Sequence, residues 1–263
     1  MIISVFNQKG GCGKSTTTTN LGAYLALQGK RVLLVDADAQ ANTTVSVGIN
    51  DESLDKTIYD LLTAKESTYD LTHEVLQPTA YKGLHIIPAD ITLSDAEITL
   101  SSLISRETIL KRIFRTVLPL YDFILIDCPP SLGLLSINAL VASDALIIPT
   151  TPDYFSVKGI KHLVDTYKLV KESLNPKLEI MGVVITKYNK TINIAKNIKK
   201  DLKEVFGEKL FKTVIRMDSK IAYAQDEGVP LMHYCTKCHG YEDYTRLGEE
   251  VLKWVRQQEQ PEL

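Results

Sequence analysis

The residues with the clearest chemical potential lie near the start of the chain, where a glycine-rich segment follows the apolar run Ile2–Phe6. The segment reads Gln8, Lys9, Gly10, Gly11, Cys12, Gly13, Lys14, Ser15 and Thr16. Glycines let a backbone curl so that its N–H groups point at a phosphate, and a helix that follows presents its positive N-terminal end to the same anion. The pattern therefore predicts a phosphate-binding loop in which Lys14 reaches the β- and γ-phosphates and the Ser15 hydroxyl ligates Mg²⁺. The alternative is a glycine-rich turn with accidental lysines.

Acidic residues follow two further apolar runs. Asp36 ends the run 31–36 and Asp38 follows two residues later, and Asp127 ends the run 123–127. In an open parallel sheet, ligands bind outside the carboxyl ends of the strands, and acids at positions i and i+2 of an extended segment point the same way. Asp127 is therefore predicted to hold Mg²⁺ through water. For Asp36 and Asp38, capping of the next helix is the alternative interpretation.

Short apolar runs alternate with longer segments of helical period along the 263 residues. The predicted strands are 2–6, 31–36, 84–88, 123–127, 145–149 and 180–186. The predicted helices are 15–28, 91–117, 133–142, 157–174, 191–206 and 240–257, with short helices over one edge within 49–82. Strands that are apolar on both faces and separated by helices indicate an α/β fold, a mostly parallel twisted sheet with helices on both faces. The absence of a linker predicts a single domain over 1–263.

Bulk composition sets few limits on function. A net charge of −2 gives no sign of a nucleic-acid partner, so any contact with DNA needs a local basic patch. The four cysteines do not suggest a disulfide framework, and neither a signal peptide nor an apolar stretch of about 18 residues is evident. These features predict a cytoplasmic protein.

Lys9-Gly10-Gly11-Cys12-Gly13-Lys14-Ser15-Thr16 resembles the deviant Walker A motif of the ParA/MinD family of P-loop ATPases. The resemblance implies an ATPase with ATP and Mg²⁺ as its ligands, in which Lys9 reaches across a homodimer to the partner's nucleotide. The segment Asp36–Gln40 resembles the family's D-x-D-P-Q motif, with Ala39 in place of proline. By this resemblance Asp38 positions the attacking water and Asp36 supports the Mg²⁺ shell. The segment Asp127–Gly133 resembles the family's switch loop, which senses the γ-phosphate.

A later stretch, Val214–Asp218, lies where family members cradle adenine. Arg216 and Met217 are the candidate contacts there, although the Pro-Arg pair common at this place is missing. The P-loop residues Lys9, Gly10, Gly11, Cys12, Gly13, Lys14, Ser15 and Thr16 complete the predicted nucleotide site. Cys12 and Cys128 are expected to serve packing. Weak basal ATPase activity is expected, because the motifs supply no strong base.

A basic region lies in the second half of the chain. Residues 187–220 contain ten basic and four acidic residues, a net charge of +6 in a chain of −2. On the predicted helix 191–206, the lysines lie opposite Ile198, Leu202 and Val205, which fits either a solvated face or a DNA surface. The family resemblance favours non-specific binding to double-stranded DNA within 187–246. The candidate residues are Lys190, Lys196, Lys199, Lys200, Lys203, Arg216, Lys220 and Lys237.

The resemblance implies a DNA partition ATPase for a plasmid or a chromosome. ATP·Mg²⁺ would drive dimerisation and DNA binding at the nucleoid, and a ParB-like partner would stimulate hydrolysis and release. A MinD-like ATPase that cycles on a membrane is the alternative, but residues 251–263 have only two basic side chains and a polar, acidic end. Iron–sulfur ATPases and small-molecule ligases of this fold are further alternatives. The Cys235-x-x-Cys238-His239 pattern is interpreted as a coincidence.

Overall fold

The computed structural model describes residues 1–64 and 69–259, without the side chains of residues 154–158 and 161. Within this part the strands form one eight-stranded sheet in the order β3-β4-β2-β5-β1-β6-β7-β8. The strands are β1 Ile2–Val5, β2 Val32–Asp36, β3 Gln77–Pro78, β4 Leu84–Ile87, β5 Phe123–Asp127, β6 Ala145–Thr150, β7 Glu179–Tyr188 and β8 Leu210–Arg216. All neighbours are parallel except β3, which runs antiparallel to β4.

The helices cover both faces of this sheet. They are α1 Lys14–Leu27, α2 Asn42–Val45, α3 Ile58–Thr63, α4 Tyr69–Val75, α5 Ala96–Ser101, α6 Ile109–Val117, α7 Leu134–Ala142, α8 Tyr154–Ser173, α9 Asn193–Phe206, α10 Ser219–Asp226, α11 Leu231–Tyr234 and α12 His239–Glu259. Short 3₁₀ helices span Asp51–Ser53, Ile91–Asp95, Arg106–Thr108, Leu118–Leu120 and Gly207–Lys209. Within the described part, no helix is both long enough and apolar enough to cross a membrane.

The inner strands are apolar on both faces because each face is buried by a different set of helices. In β2, Leu33 and Val35 join the core shared with α3 to α9. Val32 and Leu34 join the second core, shared with α1, α11 and α12. Successive residues of a strand point to opposite faces, so a strand buried twice must be apolar throughout. The predicted α/β fold is thereby confirmed.

The predicted strands are all present, with ends shifted by at most two residues, but β3 and β8 were missed. The strand β8 lies at the edge of the sheet and carries the exposed Lys212, so it lacks the continuous apolar pattern of a buried strand. The prediction of one helix over 91–117 was wrong. Serines interrupt it: the Ser101 hydroxyl donates to Ile98 O at 2.6 Å, and the Ser102 hydroxyl donates to Thr99 O at 3.1 Å. Such local bonds compete with the helix, which restarts at Ile109.

Two predictions fall partly outside the described residues. The short helices expected within 49–82 are present as α3 and α4, but residues 65–68 between them are outside the description. The polar, acidic end used against a membrane role includes residues 260–263, which also lie outside it.

The topology gathers the predicted chemistry at one edge. The strand β1 lies near the middle of the sheet, between β5 and β6. The chain first passes from β1 to β2 on one side of β1, and later passes from β5 to β6 on its other side, so the direction of winding reverses at β1. Such a switch point leaves a crevice at the carboxyl ends of the strands. The register places Asp36 beside Asp127, and Asp127 also pairs with Val5, the last residue of β1. The phosphate loop therefore begins directly beside both acids.

Candidate nucleotide-binding site

The segment between β1 and α1 is held in a curled shape by its neighbours. Gly11 and Gly13 have φ angles of 67° and 88°, a left-handed conformation that favours glycine. The buried Asn7 side chain accepts the Lys9 N–H at 3.1 Å and donates to Pro149 O at 2.7 Å. The Thr186 hydroxyl donates to Cys12 O at 2.7 Å. Because β6 and β7 both hold this loop, its phosphate-binding shape is preformed.

The two lysines of the loop have different surroundings. Lys14 is the first residue of α1 and is only 6% exposed, with Nζ 3.4 Å from Lys9 O. Lys9 is more accessible: its ammonium pairs with the Asp153 carboxylate and donates to the Thr151 hydroxyl at 2.9 Å. Lys14 therefore lies where a ligand of its own subunit would bind, and Lys9 lies at the rim of the loop.

Asp36 and Asp127 form a buried pair of acids beneath the loop. Asp36 accepts the Thr44 N–H and the Thr44 hydroxyl, both at 2.8 Å. Asp127 accepts the Thr43 hydroxyl at 2.8 Å and a hydrogen bond from Ser15. Burial raises the pKa of both carboxyl groups, and the charge of Asp36 raises that of Asp127 further. Two buried acids side by side are costly unless a cation neutralises them.

The donor set fits Mg²⁺. The second carboxylate oxygen of Asp127 is buried and, within the described protein, has no hydrogen-bond partner. Ser15 supplies a hydroxyl beside it. In residues 1–64 and 69–259 no group of three or more His, Cys, Asp or Glu side chains could hold a metal. Mg²⁺ in nucleotide sites is bound by one or two protein groups together with phosphates and waters, so this small set is sufficient.

Asp36 and Asp38 differ from the expectation of two acids on one extended strand. The strand β2 ends at Asp36, and the chain turns so that the Asp38 N–H donates to the Asp36 carboxylate at 3.2 Å. The Thr44 N–H bound by Asp36 belongs to α2, whose N-cap residue is Ala41, so Asp36 binds an N–H of this helix without being its N-cap residue. Asp38 accepts the Gln40 N–H at 3.1 Å and lines the cleft. Of the two, Asp38 is therefore placed to meet a ligand directly.

The loop opens into a cleft of about 770 Å³. One wall is the phosphate loop with Asp38 and Pro130, and the other is Ile215–Ser219 with α10 and Tyr244. Gln225 joins the walls, because its side-chain amide donates to the Thr16 hydroxyl at 3.0 Å. A second hollow of about 530 Å³ lies beside β3, away from every predicted catalytic residue. The larger cleft is the one with phosphate-binding chemistry.

Arg216 and Met217 line this cleft as predicted, but the guanidinium of Arg216 is already paired. It contacts the Asp243 carboxylate at 2.7 and 2.9 Å and Glu242 at 2.9 Å. The hydrogen bonds that Arg216 donates to Asp243 raise the pKa of the guanidinium above its ordinary value. One positive charge between two carboxylates leaves little attraction for a phosphate.

The predicted basic helix is present as α9, and its apolar side is partly as expected. Ile198 and Leu202 are buried, but Val205 is 67% exposed, so its placement on the buried face was wrong. Val205 belongs to the last turn of α9, where the next residue, Phe206, packs against the core instead.

The predicted DNA-binding lysines are accessible to solvent, but some of them already have partners within the protein. Lys203 donates to Gly207 O at 2.9 Å and lies 3.7 Å from Glu208, and Lys200 lies 3.9 Å from Glu204. Lys199 lies over the Tyr188 ring and Lys220 over the Tyr223 ring. Within the described chain no salt bridge involves Lys190, Lys196 or Lys237, all of them exposed.

Among the described residues, none of the four cysteines belongs to a group of three or more side chains that could hold a metal. Cys12 and Cys128 are buried among core residues, in agreement with a packing role, and burial raises the pKa of both thiols. The Cys238 thiol donates to Cys235 O at 3.1 Å.

Comparison with known proteins identifies the family. The family model described as "AAA domain" matches residues 1–180. The sporulation initiation inhibitor protein Soj of Bacillus subtilis is 43% identical over 250 residues, which are 95% of this chain and 97% of Soj. The chromosome partitioning protein ParA of Caulobacter vibrioides is 38% identical over 97% of this chain and 95% of its own length. The chain belongs to the ParA/Soj family.

The solved structures agree with this placement in fold. A crystal structure of cobyrinic acid a,c-diamide synthase from Mycobacterium smegmatis, with bound ADP and magnesium, has a TM-score of 0.83 and 27% identity, and the match covers 98% of this chain and 96% of that one. The ParA/Soj chain is therefore a P-loop ATPase of the partition type, as its motifs indicated.

Several polar residues of this ParA-family cleft escaped the sequence analysis. Asn7, Thr43 and Thr44 hold the loop and the acids, and Gln225 spans the walls. Nothing in the spacing of these four predicts their contacts, because they depend on the packing of distant segments. Lys187 also lines the cleft, at the carboxyl end of β7. The rule that ligands bind at strand ends would have identified it.

Proposed function

We propose that this protein is a DNA partition ATPase that uses ATP and Mg²⁺ to dimerise and to bind double-stranded DNA without sequence preference. Hydrolysis, stimulated by a ParB-like partner, ends the DNA-bound state, so that the protein cycles on and off the nucleoid. The observation that carries the proposal is the meeting, at one sheet edge, of a preformed phosphate loop, buried Lys14 and the Asp36–Asp127 pair. The names of the relatives, Soj and ParA, support partition as the process.

Each group of the cleft has a distinct task in this proposal. The N–H groups of Gly10–Gly13 and the ammonium of Lys14 bind the phosphates. Ser15 and Asp127 hold Mg²⁺, and Asp36 supports them by its charge and by its bonds to Thr44. Bound Mg²⁺ neutralises charge that develops on the phosphates.

Asp38 orients the attacking water from the cleft wall. A carboxylate without a basic partner is a modest proton acceptor, so basal turnover is slow.

Lys9 is the proposed contact between subunits. Its pair with Asp153 lies at the surface, where side chains of 37% and 40% exposure are screened by water. Such a pair contributes little free energy, so it does not prevent Lys9 from exchanging Asp153 for a phosphate of the partner's ATP. Dimerisation then depends on ATP, because the interface includes the nucleotide itself.

The proposed DNA contacts are the lysines of α9 and of the segment before it, together with two lysines on the α10–α12 side of the sheet: Lys190, Lys196, Lys199, Lys200, Lys203, Lys220 and Lys237. One subunit presents only a few phosphate contacts and binds weakly. A dimer presents two such sets of contacts to one duplex, and the second set is then favoured by its high effective concentration. Affinity can rise by about 10²-fold without any new kind of contact.

A MinD-like membrane cycle is not supported by the terminal helix. Membrane attachment by an amphipathic helix requires an apolar face that is free. In α12 that face is covered: Leu247 and Val251 are buried in the core with α1, and a Cβ on Gly248 would lie 2.0 Å from the Tyr24 ring.

The proposal is tested by binding to a duplex of arbitrary sequence in the presence of ATP·Mg²⁺, ADP·Mg²⁺ or no nucleotide. We expect tight binding only with ATP, and loss of that binding in the double variant Lys199→Glu with Lys203→Glu, while ATP-dependent dimerisation in light scattering persists. Lys168→Glu with Lys177→Glu is the matched control, because it changes the net charge equally on exposed residues outside α9 and outside the proposed DNA contacts. Equal affinity in ATP and ADP, or equal loss in both double variants, would contradict the proposal.

A further inference from the structure

Lys187 has an unusual backbone conformation for a lysine. Its φ angle is +50°, in the left-handed region that favours glycine, although it lies within β7. Side chains other than glycine, asparagine and aspartate are uncommon there because the conformation costs free energy. Strain of this kind persists only where the surroundings impose it, and it is concentrated at functional sites.

The neighbours of Lys187 hold it in this conformation. Thr186 is bound to Cys12 O of the phosphate loop at 2.7 Å. Tyr188 accepts the Met217 N–H at 3.1 Å, and the pairing between β7 and β8 shifts register between Ile185 and Tyr188. The residue before Lys187 is thus fixed to the phosphate loop, and the residue after it is fixed to the opposite wall of the cleft.

This conformation directs the Lys187 side chain over the loop. A Cβ built on Gly11 would lie 4.0 Å from Lys187 Nζ, and Lys187 lines the cleft together with Gly10 and Gly11. The ammonium is therefore beside the loop that is shaped for phosphate.

Two other cations near the site, Lys9 and Arg216, already have acidic partners, and Lys14 is buried with its Nζ 3.4 Å from Lys9 O. Lys9 pairs with Asp153, and Arg216 pairs with Asp243. For Lys187, the described part of the chain provides no carboxylate within salt-bridge distance. A strained cation without an acidic partner, at the edge of a phosphate-shaped cleft, is suited to an anion that the ligand supplies.

We propose that Lys187 is a nucleotide-binding residue whose ammonium contacts the phosphate chain of a nucleotide bound in its own subunit. The inference rests on the proposed nucleotide site and deepens it. It assigns to the cleft a lysine that the charge pattern alone groups with the basic region 187–220. It also distinguishes Lys187 from Lys9, whose proposed contact is with the other subunit.

The test measures the affinity of the full chain for ADP·Mg²⁺ and for a slowly hydrolysed ATP analogue by calorimetry, without DNA. The variant Lys187→Asn removes the charge while keeping a residue that tolerates a positive φ. We expect about tenfold weaker binding of both nucleotides, the size of one lost charged hydrogen bond. Lys187→Arg keeps the charge and should bind within about threefold of the unaltered protein. Lys177→Asn, at an exposed lysine outside the cleft and outside the proposed DNA contacts, is the control and should leave both nucleotide affinities unchanged.

The thermal midpoint without nucleotide separates a lost contact from a damaged fold. Lys187→Asn should keep the midpoint, since the substitution relieves strain rather than creating it. Unchanged nucleotide affinity in Lys187→Asn, an equal loss in Lys177→Asn, or a loss that Lys187→Arg does not restore would each overturn the inference. Unchanged nucleotide affinity together with weaker binding in a separate DNA titration would overturn it too, and would place Lys187 on the basic surface. If the unaltered chain binds neither nucleotide, the proposed function itself fails, and that result is distinct from the others.

Discussion

The nucleotide cleft and the basic face of α9 both depend on charge, but they hold it in opposite ways. In the cleft, Lys14, Asp36 and Asp127 are buried and fixed at the ends of different elements. On α9, the lysines extend from one side of a single helix into solvent, and two of them lie near glutamates of the same chain. A buried arrangement can select a ligand by shape, whereas a solvated one responds mainly to the density of negative charge.

This difference also separates the energetic roles of the two regions. Buried charges that wait for a ligand make the free protein less stable, because their hydration is lost without full replacement. Exposed lysines cost almost nothing, but salt screens what they contribute. Substitutions in the cleft should therefore change both stability and chemistry, and substitutions on α9 should change binding alone.

The largest expected effect is on hydrolysis. Asp38→Ala removes the carboxylate proposed to orient water and should lower the ATPase rate at least about 10²-fold, the usual contribution of a positioned acid–base group. ATP affinity should persist, because the phosphate loop is untouched. Turnover measured by phosphate release checks this, with the exposed Asp70→Ala as the control. A normal rate in the Asp38 variant would remove this residue from the mechanism.

A second prediction concerns Arg216, which lies between the two regions. Arg216→Ala leaves the buried Asp243 carboxylate without its main partner and should destabilise the fold by about 3 kcal/mol. For a chain of this size the thermal midpoint would fall by about 6–10 °C. Lys220→Ala, an exposed lysine nearby, should change stability by less than about 0.5 kcal/mol. A normal midpoint combined with lost DNA binding would instead make Arg216 a phosphate contact.

The third prediction uses the raised carboxyl pKa values of the cleft. A carboxyl group whose pKa is higher in the fold than its ordinary value of about 4 binds a proton more tightly when folded. Stability of the protein without Mg²⁺ and nucleotide should therefore fall as pH rises above about 4 toward the raised values. Asp127→Asn should flatten this decline and raise the midpoint at neutral pH by a few degrees. Denaturation measured from pH 5 to pH 8 in chelator checks it, and a parallel decline in both proteins would argue against the buried pair as its cause.

The smallest expected effect distinguishes individual lysines on α9. Lys196 has no acidic partner in the described chain, whereas Lys203 is bound to Gly207 O. Lys196→Ala should reduce the dependence of log K on log salt by about 0.9, the value of one phosphate contact. Lys203→Ala should reduce this salt dependence less, because the Lys203 ammonium must first break its hydrogen bond to Gly207 O before it can contact a phosphate. Salt titrations of DNA binding compare the two, and the reverse order would mean that contacts within the free protein do not predict contacts with DNA.

Features that depend on local sequence could be predicted, whereas features that depend on contacts between distant segments could not. The fold and the phosphate loop follow from local patterns: apolar runs at strand spacing, and glycines where the backbone must be left-handed. The breaks around Ser101 and Ser102 and the edge strand β8 were missed, because side-chain competition and partial exposure weaken the periodic signal. The pairing of Arg216 with Asp243 could not be predicted, since it joins residues brought together only when α12 packs against β8.

The bond between Gln225 and Thr16 joins residues separated by 209 positions in the sequence. During synthesis the phosphate loop leaves the ribosome long before residues 215–225 of the opposite wall. We therefore expect that a fragment which contains the loop but ends before residue 215 competes poorly for ATP with a chain that contains both walls.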